Sequence, residues 1–190
     1  MTEQQPYEVL AVLPGFELRN YPAHLVAQVT VRSTFESAGN TAFRHLFGYI
    51  SGQNTFTGPL PASLEVTADD QADAPLPVKI PMTAPVLLQP ESLAGAYTVA
   101  FVLPEALSSD AAPAPDDPAV TILAIPQSRG AASSFSGRWT SRNYLDHATA
   151  LGQAVSDAGF TAVGLPRFAL FDPPYKPWFL RRNEVVQTLE

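Results

Sequence analysis

The string "RRNEV", residues 181–185, sets two guanidiniums, a carboxamide and a carboxylate side by side. These are group types that serve either in a catalytic cluster or in a structural ion-pair brace. In an extended chain side chains alternate, so Arg181 and Asn183 share one face while Arg182 and Glu184 share the other. Each pair can then cross-link a loop or a neighbouring strand. "FELR" near the start, with Glu17 and Arg19 on one strand face, is the natural partner, and the cluster reads as a polar brace holding the C-terminal strand. Other chemistry is sparse. There are three histidines, His24, His45 and His147, no cysteine, and no histidine pair at ligand spacing, which argues against a structural zinc site. "GFTAVGLP" has its two glycines at the wrong spacing for a dinucleotide loop, and no phosphate loop or Ser/His/Asp arrangement is present. The carboxylates at 69–73 and 110–117 sit in Ala/Pro-rich stretches that read as solvated loops. No catalytic mechanism is written in the chain, and the balance favours a protein that is not an enzyme.

A net charge of -7 repels phosphate backbones, and the arginines are scattered apart from Arg181 and Arg182, so no nucleic-acid partner is expected. No window has the run of about 18 apolar residues that a membrane span needs, and "MTEQQPYEVL" lacks a basic, then apolar, leader. The expectation is a soluble, cytoplasmic protein with no membrane partner.

The elements that must position these groups follow from periodicity. "YEVLAVL" and "FELRNYPAHLVAQVTV" read as strands around a turn at Pro14 and Gly15, with Leu25, Ala27, Val29 and Val31 alternating towards a buried face. A helix follows in "STFESAGNTAFRHLFGYISG", with Ser33 and Glu36 as a capping box and Gly52 as its stop. At about 100° per residue Phe35, Gly39, Phe43, Leu46, Phe47 and Ile50 form one face, and His45 points away from it. Residues 53–77 read as an excursion loop. In "KIPMTAPV", residues 79–86, Pro81 and Pro85 lack amide donors, which places the segment at a sheet edge or bulge. "AYTVAFVLP", "AVTILAIP" and "AASSFSGRW" are strand-like, and a second helix runs from about Ser141 to Gly159 with Tyr144, Ala148, Leu151 and Val155 inward. Two extended segments, "RFALFDPP" and "WFLRRNEVVQTL", close the chain. The order predicts two similar halves sharing a core.

Five strings in order, "FELRNYP" (16–22), "FRHLFGYISGQN" (43–54), "KIPMTAPV" (79–86), "FSGRW" (135–139) and "FDPPYKPWFLRRNEV" (171–185), resemble the SOUL family, also called the haem-binding protein family. The resemblance covers nearly the whole chain and implies one domain, 1–190. It implies an α+β fold of two similar strand-helix-strand halves, a distorted antiparallel β-barrel with two flanking helices, related to the gyrase-inhibitor-like fold. The implied function is binding of haem or another tetrapyrrole, with haem b held non-covalently in an open apolar groove and buffered or carried. A haem-dependent enzyme, peroxide-linked or haem-degrading, and a sensor module for another apolar molecule stand as alternatives.

Haem needs an apolar wall, cationic anchors for its propionates and, optionally, an axial ligand. The resemblance places the wall at Phe43 and Phe47 on the first helix and at Phe171, Tyr175, Lys176 and Trp178 in the "FDPPYKPWF" loop. Asn40 and Gly48 stand where comparable members carry basic residues, which leaves Lys176 and Arg44 as the cations. His45 is the candidate metal ligand and Met82 the thioether alternative, although a methionine in an apolar strand is more often core filler. His24 reads as a surface or edge residue and His147 as packing.

Overall fold

Alternation of branched apolar side chains with small or polar ones builds the central element, a nine-stranded antiparallel sheet. The computed structural model describes residues 2–57, 64–66, 76–91 and 95–190. Its strands are β1 (Glu8–Leu13), β2 (Phe16–Tyr21), β3 (His24–Arg32), β4 (Val86–Pro90), β5 (Ala96–Val102), β6 (Thr121–Ile125), β7 (Ser128–Phe135), β8 (Ala162–Leu170) and β9 (Asn183–Leu189), in the spatial order β6-β3-β5-β4-β8-β9-β7-β2-β1. Helix α1 (Phe35–Ile50) packs on β3 and β5, and α2 (Ser141–Asp157) packs on β7, β8 and β9. The acidic stretch at 69–73 and much of the 53–77 excursion lie outside the described residues.

Two repeats are visible in this order. β3-α1-β4-β5 and β7-α2-β8-β9 arrange their strands alike and meet at the β4/β8 seam. The strand preceding each repeat is exchanged: β2 pairs with β7 of the second repeat, and β6 pairs with β3 of the first. Leu25, Ala27, Val29 and Val31 face the helices, as their alternation predicts, in a core that also takes Val99, Phe101, Leu88 and Phe168. Three rings tie the helices together there, with Phe35 stacked on Tyr144 at 5.2 Å and on Phe168 at 5.6 Å.

Four expectations are corrected. The sheet is open rather than a closed barrel: the exchange sends β6 and β1 to opposite edges, where they cannot pair, and β1 is exposed along most of its length. "KIPMTAPV" divides in three, its Lys79 ending a two-residue strand paired with Glu65–Val66. Thr83–Ala84 forms a short parallel pair with Glu3–Gln4, whereas the strand starting at Val86 is internal, bonded to both β5 and β8 at the seam. The inward stripe of α1 is Phe35, Ala38, Ala42, Leu46, Tyr49 and Ile50, because small Ala38 and Ala42 let the helix approach the sheet and displace Phe43 and Phe47 to its flank. The capping box does not form. Thr34 is the N-cap of α1 without a side-chain bond, and Glu36 reaches across to accept from the Ser141 amide at 2.8 Å, capping α2 instead.

The brace is present on the face opposite the helices. Arg19 of β2 donates to both oxygens of Glu184 of β9, at 2.8 and 3.1 Å, across the intervening β7. The side chains are 3 % and 2 % exposed. Glu184 also accepts from Ser134 at 2.9 Å and Arg182 at 2.7 Å, and Arg19 donates to Glu17 at 2.8 Å. Gly130 of β7 makes room for the cover: a Cβ there would stand 3.1 Å from the Tyr21 ring. Burial pushes the Glu184 carboxyl up, but the hydrogen bonds from Arg19 and Arg182 outweigh it and leave the pKa below the usual 4.5. A depressed folded-state pKa contributes stability above the unfolded value and loses it as pH falls through the folded one. Glu184→Gln, which leaves Arg19 with Glu17 as its one carboxylate and Arg182 with none among the described residues, is expected to cost about 1.5–3 kcal/mol at neutral pH. Chemical denaturation as a function of pH checks this, and the variant should also show a shallower loss of stability below pH 4.5 than wild type.

Candidate functional site

One row of cross-strand partners at the end of the sheet organises the helix-facing surface: Phe101 of β5 opposite Val86 of β4, Val86 opposite Leu170 of β8, Leu170 opposite Asn183 of β9, and Asn183 opposite Phe135 of β7. Val86 and Leu170 are only half-buried, so this row is an apolar floor not fully roofed by the helices.

Above one end stands the flank of α1. Phe43 meets Phe101 edge-on at 5.8 Å and stacks with Phe47 one turn later at 5.3 Å and 15°. The two rings remain 41 % and 47 % exposed. Asn40 and Arg44 are exposed, at helix-neighbour spacing from Phe43 and Phe47 respectively, so the four predicted helix residues share one open face. At Gly48, where no cation is present, the Gln53 amide oxygen folds into the space that a Cβ would use.

His45 is two residues from Phe47, which at about 100° per residue puts it on nearly the opposite side of the helix. There its Nδ1–H donates to Asp117 Oδ2 at 2.6 Å, tying α1 to the segment before β6, and this bond holds the Asp117 carboxyl below its usual pKa. The other histidines are engaged too. His24 Nδ1–H donates to the Pro22 carbonyl at 2.9 Å, leaving Nε2 to accept from Gln5 at 3.0 Å, and His147 stacks on Phe135 at 3.7 Å. Met82 is 40 % exposed and therefore not core filler. It precedes Thr83, whose hydroxyl donates to the Val102 carbonyl at the same end of β5.

The 171–182 loop continues directly from Leu170. It is clamped from within by Asp172, which accepts from Lys176 Nζ at 2.7 Å and from the Arg182 amide at 2.6 Å. Burial raises the Asp172 pKa, and those two bonds more than reverse it, leaving a net lowering. Arg181 donates to the carbonyls of Lys176 and Pro174 and lies 4.6 Å over Trp139, whose indole N–H donates to Asn183 at 2.8 Å. Arg138 lies 5.4 Å over Trp178. The loop is thus a fixed lip that holds Tyr175, Trp178, Phe179 and Leu180 outward, at 87, 46, 57 and 59 % exposure. Sequence reasoning named Phe171, Tyr175, Lys176 and Trp178. Phe171 does not join the wall, because its ring lies 3.9 Å beneath the Arg182 guanidinium and lines the cleft beside the brace. Missed were Asp172, Phe179, Leu180 and Arg138. The apolar run "WFL" after three prolines was the available signal for two of them.

A family model described as SOUL heme-binding protein matches residues 2–188. The chain belongs to the SOUL family. The search of curated proteins found no match. Among solved structures, the C-terminal domain of EcmrR aligns with a TM-score of 0.62 at 12% identity, covering 97% of this SOUL chain and 98% of that one. The EcmrR–DNA complex aligns at 0.60 and 14%, covering 97% of this chain and 57% of the other. A hydrolase from Listeria innocua aligns at 0.56 and 10%, covering 95% and 94%. At these identities the likenesses carry the fold alone, and they fit the SOUL and gyrase-inhibitor-like architecture.

Because Asp172 is the hub of the lip, Asp172→Ala should raise amide hydrogen exchange at Lys176 and Arg182 by about tenfold or more. Exchange at Val185 and Val186 in β9 should stay unchanged, as measured by NMR or mass spectrometry.

Proposed function

We propose that this SOUL-family chain binds haem b or a related tetrapyrrole non-covalently on the open flank of α1, with the 171–182 loop as the lip, and buffers or carries it. The observation that carries the proposal is the stacked, half-exposed pair Phe43 and Phe47 beside an incompletely roofed apolar floor. Contiguous exposed aromatics of this kind are unfavourable in water unless a flat apolar partner covers them. A chain without cysteine cannot attach haem through thioethers, which supports the non-covalent form.

The residues present fit the porphyrin face better than they fit its iron. Phe43 and Phe47 would hold the ring, Arg44 would meet a propionate from the adjacent turn, and Lys176 would do so from the lip while shared with Asp172. His45 and the aromatic pair project from opposite flanks, so one ring cannot use both, and we favour the aromatic flank. Bound iron would supply redox and ligand-exchange chemistry. What the chain supplies is an apolar surface, cations at its rim and partial exclusion of water.

Ferric haem titrated into the protein should give a saturable one-to-one Soret change that is abolished by Phe47→Asp and retained in His45→Ala. Loss of the response in His45→Ala alone would replace stacking by ligation. A non-saturating response in wild type would redirect the proposal to another apolar ligand.

A further inference from the structure

On the face away from the helices, between the two small apolar clusters formed around Val26, Ala100 and Val102 and around Tyr21, Ala132 and Val186, a cleft opens beside the brace. Its walls include Tyr7, Tyr21, Leu87, Arg19, Arg167 and Glu184. We propose that this cleft is a binding site for the head group of a small carboxylate, received by Arg167.

Arg167 Nε is sealed from solvent and is the sole buried side-chain nitrogen or oxygen among the described residues with no hydrogen-bond partner. The rest of the guanidinium has weak company: Nη1 reaches the Thr188 hydroxyl at 3.3 Å, and the group lies 5.1 Å over the Tyr21 ring. The charges around it do not balance. Arg19, Arg182 and Arg167 face Glu17 and Glu184, both carboxylates are taken by Arg19 and Arg182, and Arg167 has no acidic partner among the described residues. A water molecule would satisfy the sealed Nε–H but leave the charge of this half-buried guanidinium without a counter-ion, whereas an anion does both.

The chemistry of the walls selects a carboxylate with an apolar stem. The Tyr21 hydroxyl accepts from Arg19 at 3.3 Å and the Tyr7 hydroxyl accepts from Arg182 at 3.2 Å, and neither donates to an acceptor among the described residues. Both O–H groups are thus free to donate. The inner space of this partly open cleft, about 10 Å³, is at the lower limit for one oxygen-sized group, so a single carboxylate oxygen enters it. The remainder of the ligand must lie in the mouth against Leu87 and Pro85, which favours an aliphatic monocarboxylate over a multiply charged anion.

Butyrate, its neutral isostere butyramide, and chloride distinguish the possibilities. Butyrate should raise the melting temperature saturably and shift the Arg167 Nε–H resonance in the wild-type protein, while butyramide does neither. Arg167→Met, which keeps the apolar packing of the stem, should raise the half-saturating butyrate concentration by about tenfold or more. An Arg167 Nε–H resonance unmoved by butyrate means the group binds water only and overturns the proposal. Equal effects of chloride and butyrate overturn the carboxylate assignment, as does undiminished butyrate binding in Arg167→Met. Should that variant fail to fold, the wild-type resonance decides alone.

Discussion

The buried pair between Arg19 and Glu184 is the constraint on which the rest of the structure depends. β2 precedes the first repeat and β9 ends the second, and their charged groups meet over β7, so the exchanged strand is locked in place by a contact between distant parts of the chain. A buried ion pair is not in itself strongly stabilising, because desolvation offsets most of its attraction. Its effect is to select a register. Shifting β2 or β9 by one residue would turn a charged group into the helix-facing core, which the sheet cannot accommodate.

The same brace fixes the lip of the proposed groove. Arg182 bonds Glu184 through its side chain and Asp172 through its amide, so the network under the sheet continues into the loop that displays Trp178 and Tyr175. Rigidity on one face of the sheet thereby presents aromatic surface on the other. α1 contributes the opposing wall, and its orientation comes from Ala38 and Ala42, which bring the helix axis close to β3 and β5 and leave Phe43 and Phe47 at the flank. An open shelf between two such walls matches a large flat ligand whose edge stays in water.

Much of this was legible in the residues, and the limits have physical causes. Period-two reasoning placed Arg182 and Glu184 together and Leu25 to Val31 in the core, because strand alternation is local. The face of α1 was misjudged because hydrophobicity ranks Phe43 and Phe47 above Ala38 and Ala42, whereas close packing of a helix on a sheet favours small side chains at the contact. The strand exchange and the open edges were not legible, since the order of elements along the chain is the same whether β2 pairs within its own repeat or across it. At the site, Asn40, Phe43, Arg44 and Phe47 share one exposed face, whereas the helical periodicity had put Phe43 and Phe47 with the core. Asp117, which takes up His45, and Asp172, which takes up Lys176, become relevant only through long-range geometry.

The most direct test of the account is an amide NMR titration with diamagnetic zinc protoporphyrin, reading ring-current shifts residue by residue. Shifts concentrated at Asn40 to Gly48 and at Tyr175 to Leu180, with Tyr7, Arg19 and Arg167 unmoved, are the predicted result. Largest shifts at Tyr7, Arg19 and Arg167 would contradict it, moving tetrapyrrole recognition to the face of the sheet away from the helices.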